Sequence, residues 1–258
     1  MSKIVYNRFN IESKLYDESR KFWDFGYGSI EKYAIRKFLR GTTILEVGAG
    51  TGRHVTYLAK YGFHVVGVDI SIGMARYALS KCKDWSLNNV DIIVADAHHL
   101  PFREGCFDSS FCSRSIKFFD KPVYALSEMK RVTKKRGIIL LSFETTNGSI
   151  TKYYLKRIMW RILTSFGVVR YEDKFFMKIK LEPLLKYRIA KVRAFSLREV
   201  ENMFKSCKLK VAYWGCIFKL NPWFYEYLPP FILNIIKRLL DDKPFREGYL
   251  SIIVGVNV

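Results

Sequence analysis

The 258-residue chain contains no glutamine, and its 24 acidic residues face 44 lysines and arginines, a net charge of +20 at pH 7. A missing thermolabile amide beside abundant charge is a pattern of proteins that work hot, where part of the charge serves ion-pair networks. The five cysteines (Cys82, Cys106, Cys112, Cys207, Cys216) are odd in number and form no C-x-x-C pair. That excludes a disulfide framework and a zinc ribbon, and makes a reducing, cytoplasmic setting the expectation. No apolar run reaches the length of a membrane span, and MSKIVYNRFN lacks the apolar core of a signal peptide, so neither feature is expected. No motif indicates a catalytic metal, and no internal repeat or low-complexity tract appears.

The charge is uneven, +8 over residues 1–150 and +12 over the shorter stretch 151–258. Such a field favours nucleic acid, anionic lipid or an acidic substrate without choosing among them.

From residue 42 to 144, apolar runs alternate with amphipathic segments. Strands are expected at 44–47, 63–69, 90–96, 107–113 and 138–144, and helices at 52–61, 71–83 and 121–134. Ser71 is placed to cap a helix, and Gly137 to stop the last one after its basic KKR end. After an interruption, SLREVENMFKSCK reads as a helix, and LKVAYWGCIF and YLSIIVGVNV as strands. Runs this rich in Val, Ile and Phe belong to a parallel sheet covered on both faces. The fold class is therefore α/β, a doubly wound, mostly parallel seven-stranded sheet with ligands at the carboxyl ends of its strands. The length suits one domain over 1–258, with an N-terminal helical lid (1–40), a basic aromatic insertion (145–194) and a second cap insertion (219–247).

ILEVGAGTGRHV, from Ile44 to Val55, puts Gly48, Gly50 and Gly52 at alternate positions between a strand and a helix start. Such a turn lets a ligand approach main-chain N–H groups. The dinucleotide fingerprint fits poorly, because Arg53 stands where its third glycine belongs. Glu46, inside the strand, is unhelpful beside a pyrophosphate and welcome beside a cation. A positively charged, nucleotide-like ligand follows.

Four landmarks in order, LEVGAGTGR, GVDIS followed by IGMARYA, VADAHHLPFREGCFD, and EMKRVTKKRGIILLS, resemble the class I S-adenosylmethionine-dependent methyltransferases, particularly the group with the ubiquinone and menaquinone C-methyltransferases. The resemblance is close over residues 40–145. It implies S-adenosylmethionine as cofactor, with its methionine part against Gly48, Ala49, Gly50 and Gly52. Glu46 would face the positive end and Arg53 the carboxylate. Asp69 would accept the ribose hydroxyls, Ile70 and Met74 would pack on adenine, Asp96 and Ala97 would read its edge, and Ser113 would offer a carbonyl to the amino group. The N-terminal region would close over the site, with Tyr16, Phe22 or Trp23 touching ligand.

The base, if the acceptor must lose a proton, stays open among His98, His99, Arg114, Ser115, Lys117 and Glu144. Of the two histidines, His99 is expected to fill the loop before Leu100 and His98 to face solvent, while His54 and His64 are expected to be structural or exposed. Where the family often has an aromatic or His-His pair, this chain reads IKFF, so Lys117 and Phe118 are a departure. The Asn/Asp-Pro-Pro-aromatic signature of nucleic-acid N-methylating enzymes is absent from CSRSIKFF, and no cysteine sits where RNA cytosine C5 chemistry needs one. KYYLKRIMWRIL suits an interfacial helix, an RNA-stacking surface or a plain cap. The acceptor expected is a small, hydrophobic or lipid-like molecule, with peripheral contact to an anionic membrane; RNA (tRNA or rRNA) methylation and cofactor binding without turnover are the alternatives.

Overall fold

The computed structural model describes residues 27–145, 195–218 and 250–258, together with Phe9, Ser13, Tyr16, Asp17, Phe231, Ile232 and Ile235. The insertions expected within 145–194 and 219–247, and most of the first 26 residues of the expected lid with Phe22 and Trp23, lie outside the described residues. In chain order the elements are α1 (Tyr27–Phe38), β1 (Thr43–Val47), α2 (Arg53–Ala59), β2 (His64–Asp69), α3 (Ile72–Asp84), β3 (Val90–Val94) and β4 (Phe107–Ser113). A 3-10 turn (Ile116–Phe118), α4 (Pro122–Val132), β5 (Thr133–Glu144), α5 (Leu197–Ser206), β6 (Leu209–Phe218) and β7 (Leu250–Asn257) follow.

The seven strands form one sheet in the order β3-β2-β1-β4-β5-β7-β6. Strands β1 to β5 pair in parallel, and β7 runs antiparallel between β5 and β6. Strand order reverses between β1 and β4, which opens a crevice at their carboxyl ends. The continuous apolar runs have the expected cause, since both faces are covered. On one face Leu45, Val47, Leu126, Met129 and Phe143 pack with Phe204 of α5; on the other Ile44, Phe111 and Leu140 pack with Ile35 of α1 and Leu58 of α2. Each such side chain contributes about 1.5–3 kcal/mol by leaving water. Ser71 caps α3 as expected, its hydroxyl accepting from Met74 N at 3.2 Å.

Three boundaries differ from expectation, the first being the end of α2 at Ala59 in place of residue 61. Strand β3 ends at Val94, leaving Asp96 in the following loop. Helix α4 stops at Val132, and Thr133 to Arg136 join β5 instead of prolonging the helix. Thr133 Oγ1 donates to Met129 O at 2.7 Å, and Asn257 Nδ2 donates to Thr133 O at 2.7 Å, which turns the chain early. Pairing with β4 then jumps from Phe107↔Thr133 to Ser109↔Ile138, so Lys134 to Gly137 bulge. Gly137 is therefore a strand residue, with no room for a Cβ 2.6 Å from Asp108 O, and not a helix stop. Thr145 and Phe195 meet in a parallel bridge just beyond the carboxyl end of β5. Among the described residues no helix is long and apolar enough to cross a membrane.

Candidate functional site

The crevice deepens into a cavity walled by the ends of β1, β2, β4 and β5 and the turns that follow them. Glu46, Gly48, Ala49, Gly50, Arg53, Asp69, Ile70, Met74, Asp96, Ala97 and Ser113 all line it, as do Arg114, Lys117 and Glu144. Gly52 is not on the wall; it starts α2 in the left-handed conformation with its back to Ala78. His99 is exposed and outside the cavity, whereas His98 lines it, the reverse of the expected arrangement. The cause is a pair of hydrogen bonds. His98 Nδ1 sits 2.6 Å from Asp96 Oδ1, and Lys121 N donates to His98 Nε2 at 3.3 Å, which makes Nε2 the acceptor and leaves the ring proton on Nδ1.

The glycine turn is tied to β2. Gly48 N and Ala49 N both donate to Val68 O, and Gly50 N donates to Asp69 Oδ2 at 2.8 Å. Asp69 Oδ1 accepts from Ser71 N at 2.8 Å. Burial raises the Asp69 pKa, and the charge of Glu46 adds to the rise, against the lowering pull of the Ser71 and Gly50 N–H groups. For Asp96, burial also raises, but the hydrogen bonds from His98 outweigh it and hold the carboxyl below its ordinary value. At Gly50 no atom lies within 4 Å of where a Cβ would stand, so the main chain there is open to approach.

Beneath the turn lies a charge cluster that the sequence reading missed. Glu31 of α1 is fully buried and accepts from Ser113 Oγ at 2.8 Å and Ser142 Oγ at 3.2 Å. It also pairs with Arg53 at 2.9 Å and Arg114 at 3.2 Å. Burial alone would raise its pKa; the Arg114 and Arg53 guanidiniums hold it well below the ordinary carboxylate value. One signal was available in the sequence: Glu31 shares the i, i+3, i+4 stripe of Ala34 and Ile35, an acid on the face of α1 that packs inward. His54 is buried, as a structural histidine, with Nδ1 3.1 Å from Glu46 Oε1. Among the described residues, Glu46 Oε2, buried at the cavity wall, has no hydrogen-bond partner.

The outer end of the cavity has another character. Phe9, Tyr16, Phe118 and Phe119 line it, with the Phe9 and Phe118 rings edge to face at 5.0 Å. Lys117 Nζ and Glu144 Oε1 form an ion pair at 3.2 Å, each side chain about four-fifths buried. Arg114 holds a left-handed backbone (φ 54) at the end of β4, a conformation that costs a non-glycine residue about 1–2 kcal/mol. Asp17 also lines the cavity, accepting from Thr51 Oγ1 at 2.6 Å and pairing with Lys81.

A strand-turn-helix cradle with an acid in the strand, an acid closing the next strand, and a further acid after the third defines a nucleoside-cofactor site on a doubly wound sheet. A family model described as "Methyltransferase domain" matches residues 45–141. The demethylmenaquinone methyltransferase of Renibacterium salmoninarum is 35% identical over 121 residues, 46% of this chain and 49% of that protein. That of Corynebacterium glutamicum (strain R) is 30% identical over 163 residues, 60% of this chain and 68% of the relative. The chain spans about half the length of the curated relatives it matches. Among solved structures, a SAM-dependent methyltransferase from Thermotoga maritima superposes with a TM-score of 0.65 at 21% identity, covering 98% of this chain and all of that one, a likeness of fold. The chain belongs to the class I S-adenosylmethionine-dependent methyltransferases, in the group of the menaquinone enzymes. S-adenosylmethionine is the cofactor of that family.

Proposed function

We propose that the cavity holds S-adenosylmethionine and that the chain directs its methyl group, by in-line displacement, to a small hydrophobic acceptor of the lipid-like quinone class. The observation that carries the cofactor half is Glu46 Oε2. Buried polar atoms are normally paired, so an unpartnered carboxylate oxygen on a cavity wall, beside main chain left open at Gly50, suits a cationic ligand. Asp69 already accepts one N–H on each oxygen, and each keeps a second acceptor site for a ribose hydroxyl. Ile70 and Met74 stand where adenine would pack, Asp96 and the Ala97 N–H along its edge, and Ser113 O toward the amino group. Arg53 stands against the carboxylate while holding Glu31. When bound, the cofactor supplies a methyl group on a sulfonium leaving group; the protein's main contribution is alignment.

For the acceptor, the four aromatic side chains offer an apolar slot, and the relatives' names, demethylmenaquinone methyltransferases, support a quinone-like ring. Glu144 is placed to take the proton an acceptor hydroxyl loses, and Lys117 to stand against the oxygen anion left behind. A lipid-like acceptor brings the protein to a membrane surface, and the +12 charge of residues 151–258 supports contact with anionic lipid. The test is transfer of a labelled methyl group from the cofactor to a cell extract sorted into lipid, RNA, protein and small-molecule pools. Label in the lipid pool is the expected result, and label in RNA alone overturns the acceptor assignment. Glu144→Gln and Lys117→Met should each lower kcat by about 10²- to 10⁴-fold with the cofactor Kd unchanged. A parallel loss of cofactor binding would refute the division into cofactor and acceptor ends.

A further inference from the structure

His54 has no part in the reading above, yet it stands between two buried carboxylates. Its Nδ1 is 3.1 Å from Glu46 Oε1 on β1, and its Nε2 is 3.8 Å from Glu31 Oε2 on α1, too far for a hydrogen bond. The ring meets the edge of Phe111 on β4. Among the described residues, the other charges around it are Arg53 on its own helix, Arg114 at the end of β4 and Asp69 at the end of β2. Glu31, Glu46 and Asp69 thus face two guanidiniums, both of which pair with Glu31. With His54 neutral, this inner cluster keeps one surplus negative charge.

Two groups lie close to these carboxylates. Asp69 is pushed up by burial and further by the charge of Glu46. The Cys112 thiol is pushed up to about 12 by burial, with Glu46 and Asp69 adding to the rise. A buried surplus charge is costly unless a counter-charge or a proton answers it. The sulfonium form of the cofactor carries one net positive charge, and the thioether form, S-adenosylhomocysteine, carries none. The distances supply the place for the proton. With Nδ1–H donating to Glu46, the Nε2 lone pair faces a carboxylate oxygen, acceptor against acceptor, which accounts for the open 3.8 Å gap. A proton on Nε2 turns it into a donor toward Glu31.

We propose that His54 takes a proton from solvent onto Nε2 when the cavity holds the neutral thioether form and stays neutral when it holds the sulfonium form, so that His54 sets the preference between the two. The inference rests on the cavity being the cofactor site, and the experiment separates the two claims. Calorimetric titrations of S-adenosylmethionine, S-adenosylhomocysteine and a non-transferring analogue with an ammonium in place of the sulfonium are run near neutral pH, in buffers of different ionisation enthalpy. The thioether should bind with uptake of up to one more proton per site than either charged form. Its affinity relative to theirs should rise as pH falls, by up to about tenfold per pH unit. His54→Gln should remove the difference while both forms still bind. Equal proton counts in the wild type, an ammonium analogue that behaves like the thioether, or a difference that survives in His54→Gln overturns the proposal. The three-ligand comparison on the wild type decides alone if the variant does not fold. Flat titrations with all three ligands overturn the cofactor reading itself.

Discussion

Replacing Glu31 by Gln keeps the side chain's size and leaves one oxygen to accept from Ser113 and Ser142, but removes the charge that answers Arg53 and Arg114. The amide end then presents N–H donors to two guanidiniums that can only donate. Two routes give the magnitude. Losing two charge-assisted hydrogen bonds at about 1.5–3 kcal/mol each gives about 3–6 kcal/mol, and breaking a buried ion pair by removing one partner costs about 3–5 kcal/mol. We expect a loss of about 3–5 kcal/mol, a large share of the ordinary stability of a domain. The assay is urea unfolding followed by circular dichroism, comparing midpoints at an unchanged m-value. The pH profile is a second readout. Glu31 has a folded pKa below the ordinary 4.5, so its stabilisation is fully present above that pH and is lost as pH falls from about 4.5 toward the folded value. The Gln variant should lack this portion of the acid dependence. A loss below about 1 kcal/mol, or an acid profile identical to the wild type, would refute the account of Glu31 as the hub beneath the site.

Asp69→Ala should weaken S-adenosylmethionine binding by about 1.5–3 kcal/mol through lost charged hydrogen bonds, while NAD shows no useful affinity; calorimetry that finds unchanged cofactor affinity, or tight NAD binding, counts against the site. Gly50→Ala and Gly52→Ala should differ in rank. Both positions have positive φ (56 and 72), but a Cβ on Gly50 meets nothing within 4 Å whereas one on Gly52 comes to 2.9 Å from Ala78 Cβ. Gly50→Ala should therefore cost only the left-handed strain, about 1–2 kcal/mol, and Gly52→Ala a further 1–3 kcal/mol or so of overpacking. Equal or reversed melting shifts would falsify the assignment of Gly50 to the open side of the turn.

What the sequence made legible follows from how local each signal is. Strand β2 was readable to within a residue because a strand covered on both faces is a continuous apolar run, and Asp69 was readable because an acid closes that run. The end of α4 was not readable. Its basic KKR followed by glycine imitates a helix stop, and what overrules it is Asn257, 124 positions away, whose Nδ2 donates to Thr133 O and draws the chain into β5. The exchange of His98 for His99 has a similar cause, since the Lys121 N–H that fixes His98 belongs to the start of α4. Glu31 lies at the extreme of this scale, because its partners come from α2, β4 and β5.

Among the described residues, two acids ahead of β1 meet the glycine turn with unequal strength. Asp17 reaches Thr51 and Lys81, and Glu31 reaches Arg53, so the two acids grip either side of Gly52. The Asp17 side chain is 26% exposed and that of Lys81 20%. A solvent-screened pair of this kind contributes at most about 1 kcal/mol. Glu31 is fully buried, and dislodging it strands two guanidiniums. Losing the Asp17 contacts therefore costs far less than losing those of Glu31.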